Sequence, residues 1–239
     1  MQTIKGKTAL ITGGTKGIGK GIAVAMLQEG MNVVITSRHA TAAQEVADEL
    51  SEIGSGKIIG IASDVRDFAA QEAAVEKTIS SFGQLDVLIA NAGVGHFASI
   101  EDMSLQQWQD TIDINLTGVF YSVKASLAAL KASQGYIITI ASLAGTNFFA
   151  KGAAYNASKF GLVGFTQAVM LDVRKAGIKA TTIMPGSVAT HFNNHEPSEA
   201  DAWKIQPEDL GQITIDLLKM HPRTLPSKVE VRPSVPPSK

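Results

Sequence analysis

The stretch TALITGGTKGIG, residues 8–19, decides the fold of this chain. It begins with a short apolar run typical of a buried strand, and its glycines Gly13, Gly17 and Gly19 lead into a helical pattern. Glycine lets the backbone turn sharply and approach a pyrophosphate, and the helix N-terminus adds N–H donors and a favourable dipole. The spacing G-x-x-x-G-x-G differs from the common G-x-G-x-x-G fingerprint. By itself, the turn therefore also fits a tight strand–helix connection that binds nothing.

Short apolar runs alternate with helical patterns along almost the whole chain. The runs are rich in Val, Ile and Leu without strict alternation, as expected for strands buried on both faces. The predicted strands are Thr8–Ile11, Asn32–Thr36, Lys57–Ile61, Asp86–Ile89, Tyr136–Ile140, Ala180–Ile183 and Lys228–Val231. The predicted helices are Gly17–Glu29, Thr41–Ile53, Asp67–Phe82, Leu105–Lys131, Gly152–Lys175 and Pro207–Met220. Repeated strand–helix–strand units predict an α/β protein with a doubly wound, parallel, seven-stranded sheet flanked by helices on both faces.

Length and composition restrict the class of protein further. The 239 residues suffice for one well-buried core, so we expect one domain over residues 1–232 and a proline-rich tail over 233–239. The net charge of −1 argues against binding to nucleic acid or to an anionic membrane surface. There is no cysteine, no apolar run approaches about 18 residues, and no signal peptide is recognisable at the N-terminus. We therefore expect a cytoplasmic protein, and the scattered histidines predict no metal site.

The end of the second strand bears on the choice of dinucleotide. An NAD enzyme normally places Asp or Glu there to hold the ribose 2′-hydroxyl. This strand instead ends in Thr36-Ser37-Arg38. A guanidinium can bind a 2′-phosphate with two hydrogen bonds, Ser37 can donate another, and Lys16 adds positive charge from the glycine turn. These residues predict NADP(H), although surface cations of this kind are also commonly just solvated.

A serine, a tyrosine and a lysine carry the predicted chemistry. Ser142 follows the strand GYIITIAS, at the edge where α/β sheets bind ligands. Tyr155 and Lys159 are four residues apart in a helical stretch and therefore share one face of that helix. The lysine ammonium, together with an oxidised nicotinamide, would lower the pKa of the tyrosine hydroxyl from about 10 and make it a proton donor. Ser142 would donate a hydrogen bond to the substrate oxygen.

These residues resemble those of the short-chain dehydrogenase/reductase family, from about Lys5 to Val231. The chain is similar to NADPH-dependent members such as the 3-oxoacyl-[acyl-carrier-protein] reductases, and the resemblance implies a Rossmann fold. The matching segments are TGGTKGIG at Thr12–Gly19, Asp64, NAG at Asn91–Gly93, Asn115, Ser142, YNASK at Tyr155–Lys159 and PGSVAT at Pro185–Thr190. Two departures are Ala90, where many relatives have a second Asn, and the short stretch Ser187–Gln206 before a proline-rich end.

The resemblance implies further cofactor contacts. Asp64 and Val65 would meet the adenine, and Asn91, Ala92 and Gly93 would line the adenosine ribose. Lys159, with Tyr155, would hold the nicotinamide ribose. Asn115 would hold, through its main chain, a water joined to Lys159. The remaining expected cofactor contacts are Thr15 and Ile18 in the glycine turn and Pro185, Gly186, Val188 and Thr190 after the sixth strand.

Several of these residues also have purely structural interpretations. Asp64 fits a cap for the following turn, and Asn115 fits a polar helix residue that faces a neighbour. Pro185-Gly186 fits a simple turn. The residues expected to face the substrate are Gly95, His96, Phe97, Leu143, Asn147, Phe148, His191, Phe192 and Trp203.

The leading interpretation is an oxidoreductase that transfers hydride from NADPH to a ketone or 3-oxoacyl substrate. In this interpretation Tyr155 donates the proton, assisted by Lys159 and Ser142. One alternative is an alcohol or hydroxy-acid dehydrogenase working in the oxidative direction, and another is a nucleotide-sensing Rossmann protein without catalysis. The resemblance also implies a homodimer or homotetramer that pairs the helices Leu105–Lys131 and Gly152–Lys175.

Overall fold

A computed structural model describes residues 3–236 of the chain. Within these residues seven parallel strands form one sheet in the order β3-β2-β1-β4-β5-β6-β7. The strands are β1 (Thr8–Thr12), β2 (Asn32–Ser37), β3 (Ile58–Ala62), β4 (Val87–Ala90), β5 (Tyr136–Ile140), β6 (Lys179–Pro185) and β7 (Lys228–Val231). The predicted doubly wound fold is confirmed, with strand bounds that differ from the expected ones by a few residues.

Helices cover both faces of this sheet. They are α1 (Gly17–Gln28), α2 (Ala40–Leu50), α3 (Phe68–Phe82), α4 (Leu105–Ile112), α5 (Gly118–Ser133), α6 (Ala153–Val173) and α7 (Pro207–Lys219). Side chains of α1, α2 and α7 share one apolar core, and those of α3, α5 and α6 share the other. Successive residues of a strand point to opposite faces, so Ala9 and Ile11 enter the first core and Leu10 the second. All five residues of β1 are buried, which explains why its sequence does not alternate.

The predicted single helix over Leu105–Lys131 is wrong in one respect. A π-helical segment, Asp113–Thr117, separates α4 from α5. A capping box of Ser104 and Gln107 begins α4. Apolar periodicity does not distinguish a local i→i+5 turn from continuous α-helix, so the sequence carries no signal for this segment. Such turns occur frequently at functional sites, and Asn115 lies in the middle of this one.

The first and last helices pack unusually close together, through two glycines. A Cβ atom added to Gly21 would lie 2.6 Å from the backbone carbonyl of Pro207. A Cβ atom on Gly211 would lie 2.8 Å from the carbonyl oxygen of Gly21. Because neither position tolerates a side chain without displacement, the backbones of α1 and α7 are in direct contact.

The topology places the carboxyl ends of β1 and β4 beside each other while the chain leaves them in opposite directions. This switch in strand order is where open α/β sheets bind ligands.

After β7, residues 232–236 form neither helix nor strand, and residues 237–239 of the expected tail lie outside the described part. Among the described helices, none has both the length and the apolar character needed to cross a membrane.

Candidate active site

A cleft of about 690 Å³ lies at the carboxyl edge of the sheet. Its volume falls within the range of cofactor and small-molecule sites. The predicted site residues that line it are Gly13, Thr15, Lys16, Gly17, Ile18, Ser37, Arg38, Asp64, Val65, Asn91, Ala92, Gly93, Ser142, Tyr155, Lys159, Pro185, Gly186, Val188 and Thr190. Gly19 and Asn115 are the two predicted site residues outside this lining.

The glycine turn forms a cradle at the N-terminus of α1. Gly13 and Gly17 have φ values of +64° and +50°, a backbone region that disfavours other residues. A Cβ atom on Gly17 would lie 2.9 Å from Thr190 Cγ2, so the turn and the segment after β6 approach closely only because residue 17 is glycine. The open backbone and the helix N-terminus together fit the pyrophosphate of a dinucleotide.

Gly19 leaves room for a side chain that holds this cradle in place. A Cβ atom there would lie 2.5 Å from Asn91 Nδ2, and that amide donates 2.9 Å hydrogen bonds to the carbonyl oxygens of Thr12 and Gly13. The Thr12 hydroxyl in turn accepts from the backbone N–H groups of Asn91 and Ala92. Asn91 therefore joins the end of β4 to the glycine turn, a role that the sequence analysis did not assign to it.

The end of β2 presents Ser37 and Arg38 to the same cleft as Lys16. Both cations are exposed, and neither forms a salt bridge within the described residues. The Ser37 hydroxyl accepts a 3.3 Å hydrogen bond from the His39 N–H and still has a proton to donate. The three residues therefore line one cleft, and the phosphate contact expected of them stays a prediction.

Asp64 is more constrained than expected. Its carboxylate accepts from the Arg66 backbone N–H at 3.0 Å and forms an ion pair with the Arg66 guanidinium at 2.7 Å. The Arg66 side chain, and more weakly the charge of Arg38, hold the pKa of Asp64 below its ordinary value although burial opposes this. Asp64 therefore caps the following turn, as its structural interpretation proposed. Its partner Arg66 was not among the predicted site residues.

Three predicted catalytic residues, Ser142, Tyr155 and Lys159, lie together in the part of the cleft next to β5, whereas Arg38 lies at its other end, after β2. Tyr155 and Lys159 lie on one face of α6, with the Lys159 Nζ 5.7 Å from the centre of the Tyr155 ring. Lys159 is only 4% exposed and donates a 2.9 Å hydrogen bond to the carbonyl oxygen of Ile140, at the end of β5. Ser142 follows that strand, and its hydroxyl accepts from the Ala144 N–H at 3.1 Å.

Burial changes the proton affinities of the pair in opposite directions. It lowers the pKa of Lys159 from 10.5 to about 8, because a buried ammonium loses its hydration. It raises the pKa of Tyr155, and a hydrogen bond with the Ser142 hydroxyl partly offsets this increase. Among the protein's own groups, therefore, the net effect on Tyr155 is opposite to the lowering that the sequence analysis expected from Lys159.

Asn115 lies behind the cleft and uses its side chain for support. Its Oδ1 accepts from the Val94 N–H at 2.8 Å, and its Nδ2 donates to the Val94 carbonyl and to the Ser158 hydroxyl. The side chain fixes the loop after β4 to α6. A Cβ atom on Gly93 would lie 3.3 Å from Asn115 Oδ1 and 3.7 Å from Lys159 Nζ, so Asn115 and Lys159 border the same glycine. The main-chain water predicted for Asn115 stays a prediction.

The segment after β6 closes the cleft along one side. An isolated bridge between Val188 and Ile205 holds the two ends of this segment together. Within it the carboxylate of Asp201, which is 5% exposed, bonds to both His195 and Lys204. Hydrogen bonds from the Lys204 and His195 side chains hold the pKa of Asp201 down at about 2. His195 and Lys204 line the cleft, and neither was among the predicted site residues.

Only some of the residues expected to face the substrate lie close to Tyr155. Phe97 and Phe192 pack around Tyr155, with ring centres 5.4 and 5.6 Å from its own. Phe149 joins them through a 5.8 Å contact with Phe97, whereas the predicted Phe148 is 85% exposed and makes no ring contact within the described residues. Consecutive residues of an irregular loop cannot be assigned inward or outward from sequence. Among the expected residues, His191 and Phe192 line the cleft; those outside its lining are Gly95, His96, Phe97, Leu143, Asn147, Phe148 and Trp203.

A family model described as short chain dehydrogenase matches residues 7–201. The chain belongs to this family. Within it, the short-chain dehydrogenase described here is 36% identical over 221 residues to a cyclohexanol dehydrogenase of Acinetobacter sp. (strain SE19), covering 89% of this chain and 87% of that one. The family resemblance drawn from the motifs is thus confirmed, and the chain is an oxidoreductase.

Solved structures of relatives agree with the fold and differ in their cofactors. A metagenomic short-chain oxidoreductase in complex with NADP is 31% identical, with a TM-score of 0.85 over 98% of this chain and 100% of that one. A 3-ketoacyl-(acyl-carrier-protein) reductase from Brucella melitensis, complexed with NADH, is 26% identical, with a TM-score of 0.87 over 96% and 98%. Family membership alone therefore does not decide between the two dinucleotides.

Proposed function

We propose that this oxidoreductase reduces a ketone carbonyl to an alcohol with NADPH. The observation that carries the proposal is the juxtaposition of three groups at one end of the cleft. A buried Lys159 ammonium lies beside the Tyr155 ring, and the Ser142 hydroxyl is near enough to that of Tyr155 to lower its pKa. A non-catalytic nucleotide sensor has no need for a buried, desolvated lysine at this place, because such a group costs stability.

The residues of the glycine turn and of the end of β2 fit NADPH. The turn and the α1 N-terminus would hold the pyrophosphate, while Arg38, Ser37 and Lys16 would hold the 2′-phosphate. When bound, the nicotinamide supplies the hydride that the substrate carbon receives. Arg38 and Lys16 have no carboxylate partner among the described residues, so they can bind a phosphate without losing an existing ion pair.

The chain's own residues would handle the proton. The Ser142 hydroxyl donates a hydrogen bond to the substrate oxygen and so holds the carbonyl next to Tyr155. As hydride reaches the carbon, the Tyr155 hydroxyl transfers its proton to that oxygen, which leaves an alcohol and a phenolate. The ammonium of Lys159 stabilises the phenolate until a proton returns from solvent. Burial, which raises the pKa of Tyr155, keeps the hydroxyl protonated before the reaction begins.

The oxidative direction is the second candidate, and the similarity to a cyclohexanol dehydrogenase favours it. In that direction the Tyr155 phenolate would remove the alcohol proton, so the same residues serve both reactions by microscopic reversibility. Initial rates with ketone plus NADPH and with alcohol plus NADP⁺ at pH 7 would establish the preferred direction.

The proposal is tested by following NADPH absorbance over a panel of ketones, with NADH run in parallel. We expect turnover with NADPH, and we expect Tyr155→Phe to abolish it while NADPH still binds, as measured by the fluorescence of the bound dinucleotide. Full activity of Tyr155→Phe would exclude the proposed proton transfer. Faster turnover with NADH than with NADPH would contradict the role of Arg38.

We also propose that the enzyme forms a homodimer or homotetramer through α4, α5 and α6. Large apolar side chains are exposed on these helices, namely Phe120 at 46%, Phe160 at 42% and Leu171 at 53%. Burying them against a second copy would remove apolar surface from water. Light scattering after gel filtration should give a dimer or tetramer for the natural chain and a smaller species for Phe160→Glu. A monomeric natural chain would refute the proposal.

A further inference from the structure

We infer that the substrate is an uncharged ketone with a ring or a compact apolar body, bound against an aromatic wall formed by Phe97, Phe149 and Phe192. The inference rests on the proposed function and specifies its substrate class. The wall begins beside the proton donor: Phe97 and Phe192 both lie edge-on or tilted to the Tyr155 ring. Phe192 lines the cleft, and Phe97 and Phe149 continue the aromatic surface beyond the cleft lining. Phe97 also contacts Phe149 at 5.8 Å and Phe192 at 6.4 Å.

The wall is not explained by the needs of the core. Phe97 is 38% exposed and Phe149 is 48% exposed, and none of the three rings belongs to either buried core cluster. Partly exposed aromatic rings grouped beside a reactive group are typical of a binding surface for an apolar ligand. A ring or short aliphatic body of the substrate would cover these faces and exclude water from the Tyr155 hydroxyl.

Three separate segments bring the rings together, and each is held by a specific contact. Phe97 follows β4 and Phe192 follows β6, and they meet over Gly95. A Cβ atom on Gly95 would lie 2.6 Å from the Phe192 ring and 3.0 Å from the Phe97 ring, so a side chain at this position would displace them. The Thr190 hydroxyl accepts a 3.4 Å hydrogen bond from the Phe192 N–H.

Phe149 follows β5 and is held by Asn156, the residue next to Tyr155. The Asn156 Nδ2 donates 2.8 Å hydrogen bonds to the carbonyls of Ala144 and Asn147, and its Oδ1 accepts from the Phe149 N–H at 3.4 Å. Asn156 is 8% exposed, so these bonds are shielded from solvent. Asn156 thereby fixes the loop that carries Phe149 to the helix that carries Tyr155, and the wall keeps its position relative to the proton donor.

The charges near the wall disfavour an anionic substrate. In the segment after β6, the Lys204 ammonium and the His195 ring are both bonded to the Asp201 carboxylate. A substrate carboxylate would have to compete with Asp201 for them and would also lose hydration against the aromatic rings. We therefore expect uncharged ring ketones to be better substrates than 3-oxo acids of similar size.

The experiment compares cyclohexanone with 3-oxobutanoate and ethyl 3-oxobutanoate at saturating NADPH. For the natural enzyme we expect kcat/KM for cyclohexanone to exceed that for 3-oxobutanoate by at least about a hundredfold, since an uncompensated carboxylate is costly to desolvate. Ethyl 3-oxobutanoate, in which the charge is esterified, should recover part of this difference. Equal kcat/KM values for cyclohexanone and 3-oxobutanoate would overturn the inference.

Variants of the wall test whether the preference for cyclohexanone depends on its aromatic rings. Phe97→Ala should raise KM for cyclohexanone by about tenfold with little change in kcat, because a ring contact is lost while the proton donor stays in place. Phe97→Leu should restore much of this loss, and Ile100→Ala, which removes a 77% exposed apolar side chain from the same loop, should change nothing. A Phe97→Ala effect equal for all three substrates, or absent, would contradict the wall.

The two proposals fail in different ways. If no carbonyl compound is reduced with NADPH by the natural enzyme, the proposed function is wrong. If reduction occurs but favours the anionic substrate or ignores Phe97, the proposed function stands and the aromatic wall is refuted. Binding of NADPH to Phe97→Ala, measured by fluorescence, shows that the variant is folded.

Discussion

Replacing Lys159 by Met should change the pH dependence of folding in a way that the structure specifies. Burial lowers the pKa of Lys159 from 10.5 to about 8. One pKa unit corresponds to about 1.4 kcal/mol, so at pH 7 the buried ammonium costs about 3 kcal/mol of the free energy of unfolding. Because the folded-state pKa is the lower one, the unfolded chain binds more protons between the two values, and this cost decreases as pH rises through that interval.

At about pH 9.5 the cost has fallen to about 1.5 kcal/mol, so the natural chain gains about 2 kcal/mol relative to Lys159→Met between pH 7 and that value. The variant keeps the length of the side chain but leaves the Ile140 carbonyl without its donor, a loss that does not depend on pH. The informative quantity is therefore the pH dependence of the stability difference, not its value at one pH. The variant should also lose reductase activity at every pH.

Urea unfolding of both proteins at several pH values from 7 to about 9.5, without dinucleotide, measures this difference. Lys77→Met, which replaces an exposed lysine of α3, is the matched control and should follow the natural chain at all pH values. If the curves for the natural chain and Lys159→Met run parallel, Lys159 is not a desolvated ammonium and the reasoning fails.

Three further variants test other parts of the site. Arg38→Asp should raise KM for NADPH by about ten- to a hundredfold, since a charge-assisted phosphate contact is worth about 1.5–3 kcal/mol, and should lower KM for NADH in parallel assays; an unchanged preference would refute the assignment. Gly14→Ala should lower the free energy of unfolding by about 1–3 kcal/mol in urea, because the new Cβ atom would lie 2.6 Å from Ile35 Cγ2; unaltered stability would show that β2 adapts freely. Asn156→Ala should lower kcat about tenfold, because the loop after β5 loses two hydrogen bonds of about 1 kcal/mol each, and Asn156→Gln should rescue little of it. Natural kcat/KM in Asn156→Ala would show that this loop needs no such support.

The sequence was sufficient for the sheet because its five central strands, β1, β2, β4, β5 and β6, are buried on both faces. Short runs rich in Val and Ile, such as that of β2, indicate a strand buried on both faces, and the turn before α1 identifies the strand at the switch point. Contacts between residues far apart in the sequence were harder to predict. Asn91 binds Thr12, 79 positions away, and only the paired edges of β1 and β4 bring them together.

The part of the site that sequence could not supply lies in irregular backbone. The π-helical turn around Asn115 leaves no trace in apolar spacing, and the choice between Phe148 and Phe149 depends on a loop with no period. Arg66 was overlooked because nothing in the chain marks it as the partner of Asp64 two residues before it. By contrast, Tyr155 and Lys159 were predictable, since helical geometry alone places residues four apart on one face. The cytoplasmic location and the division into residues 1–232 and 233–239 stay predictions.

The contact of Gly21 with α7 has a consequence for the order in which the protein matures on the ribosome. The glycine turn, residues 13–19, is synthesised long before Pro207 and Gly211, the two residues that brace α1. A nascent chain that ends before Pro207 has all of the glycine turn and none of this brace. We expect such a chain to retain little affinity for a dinucleotide, so that cofactor capture follows the synthesis and docking of α7.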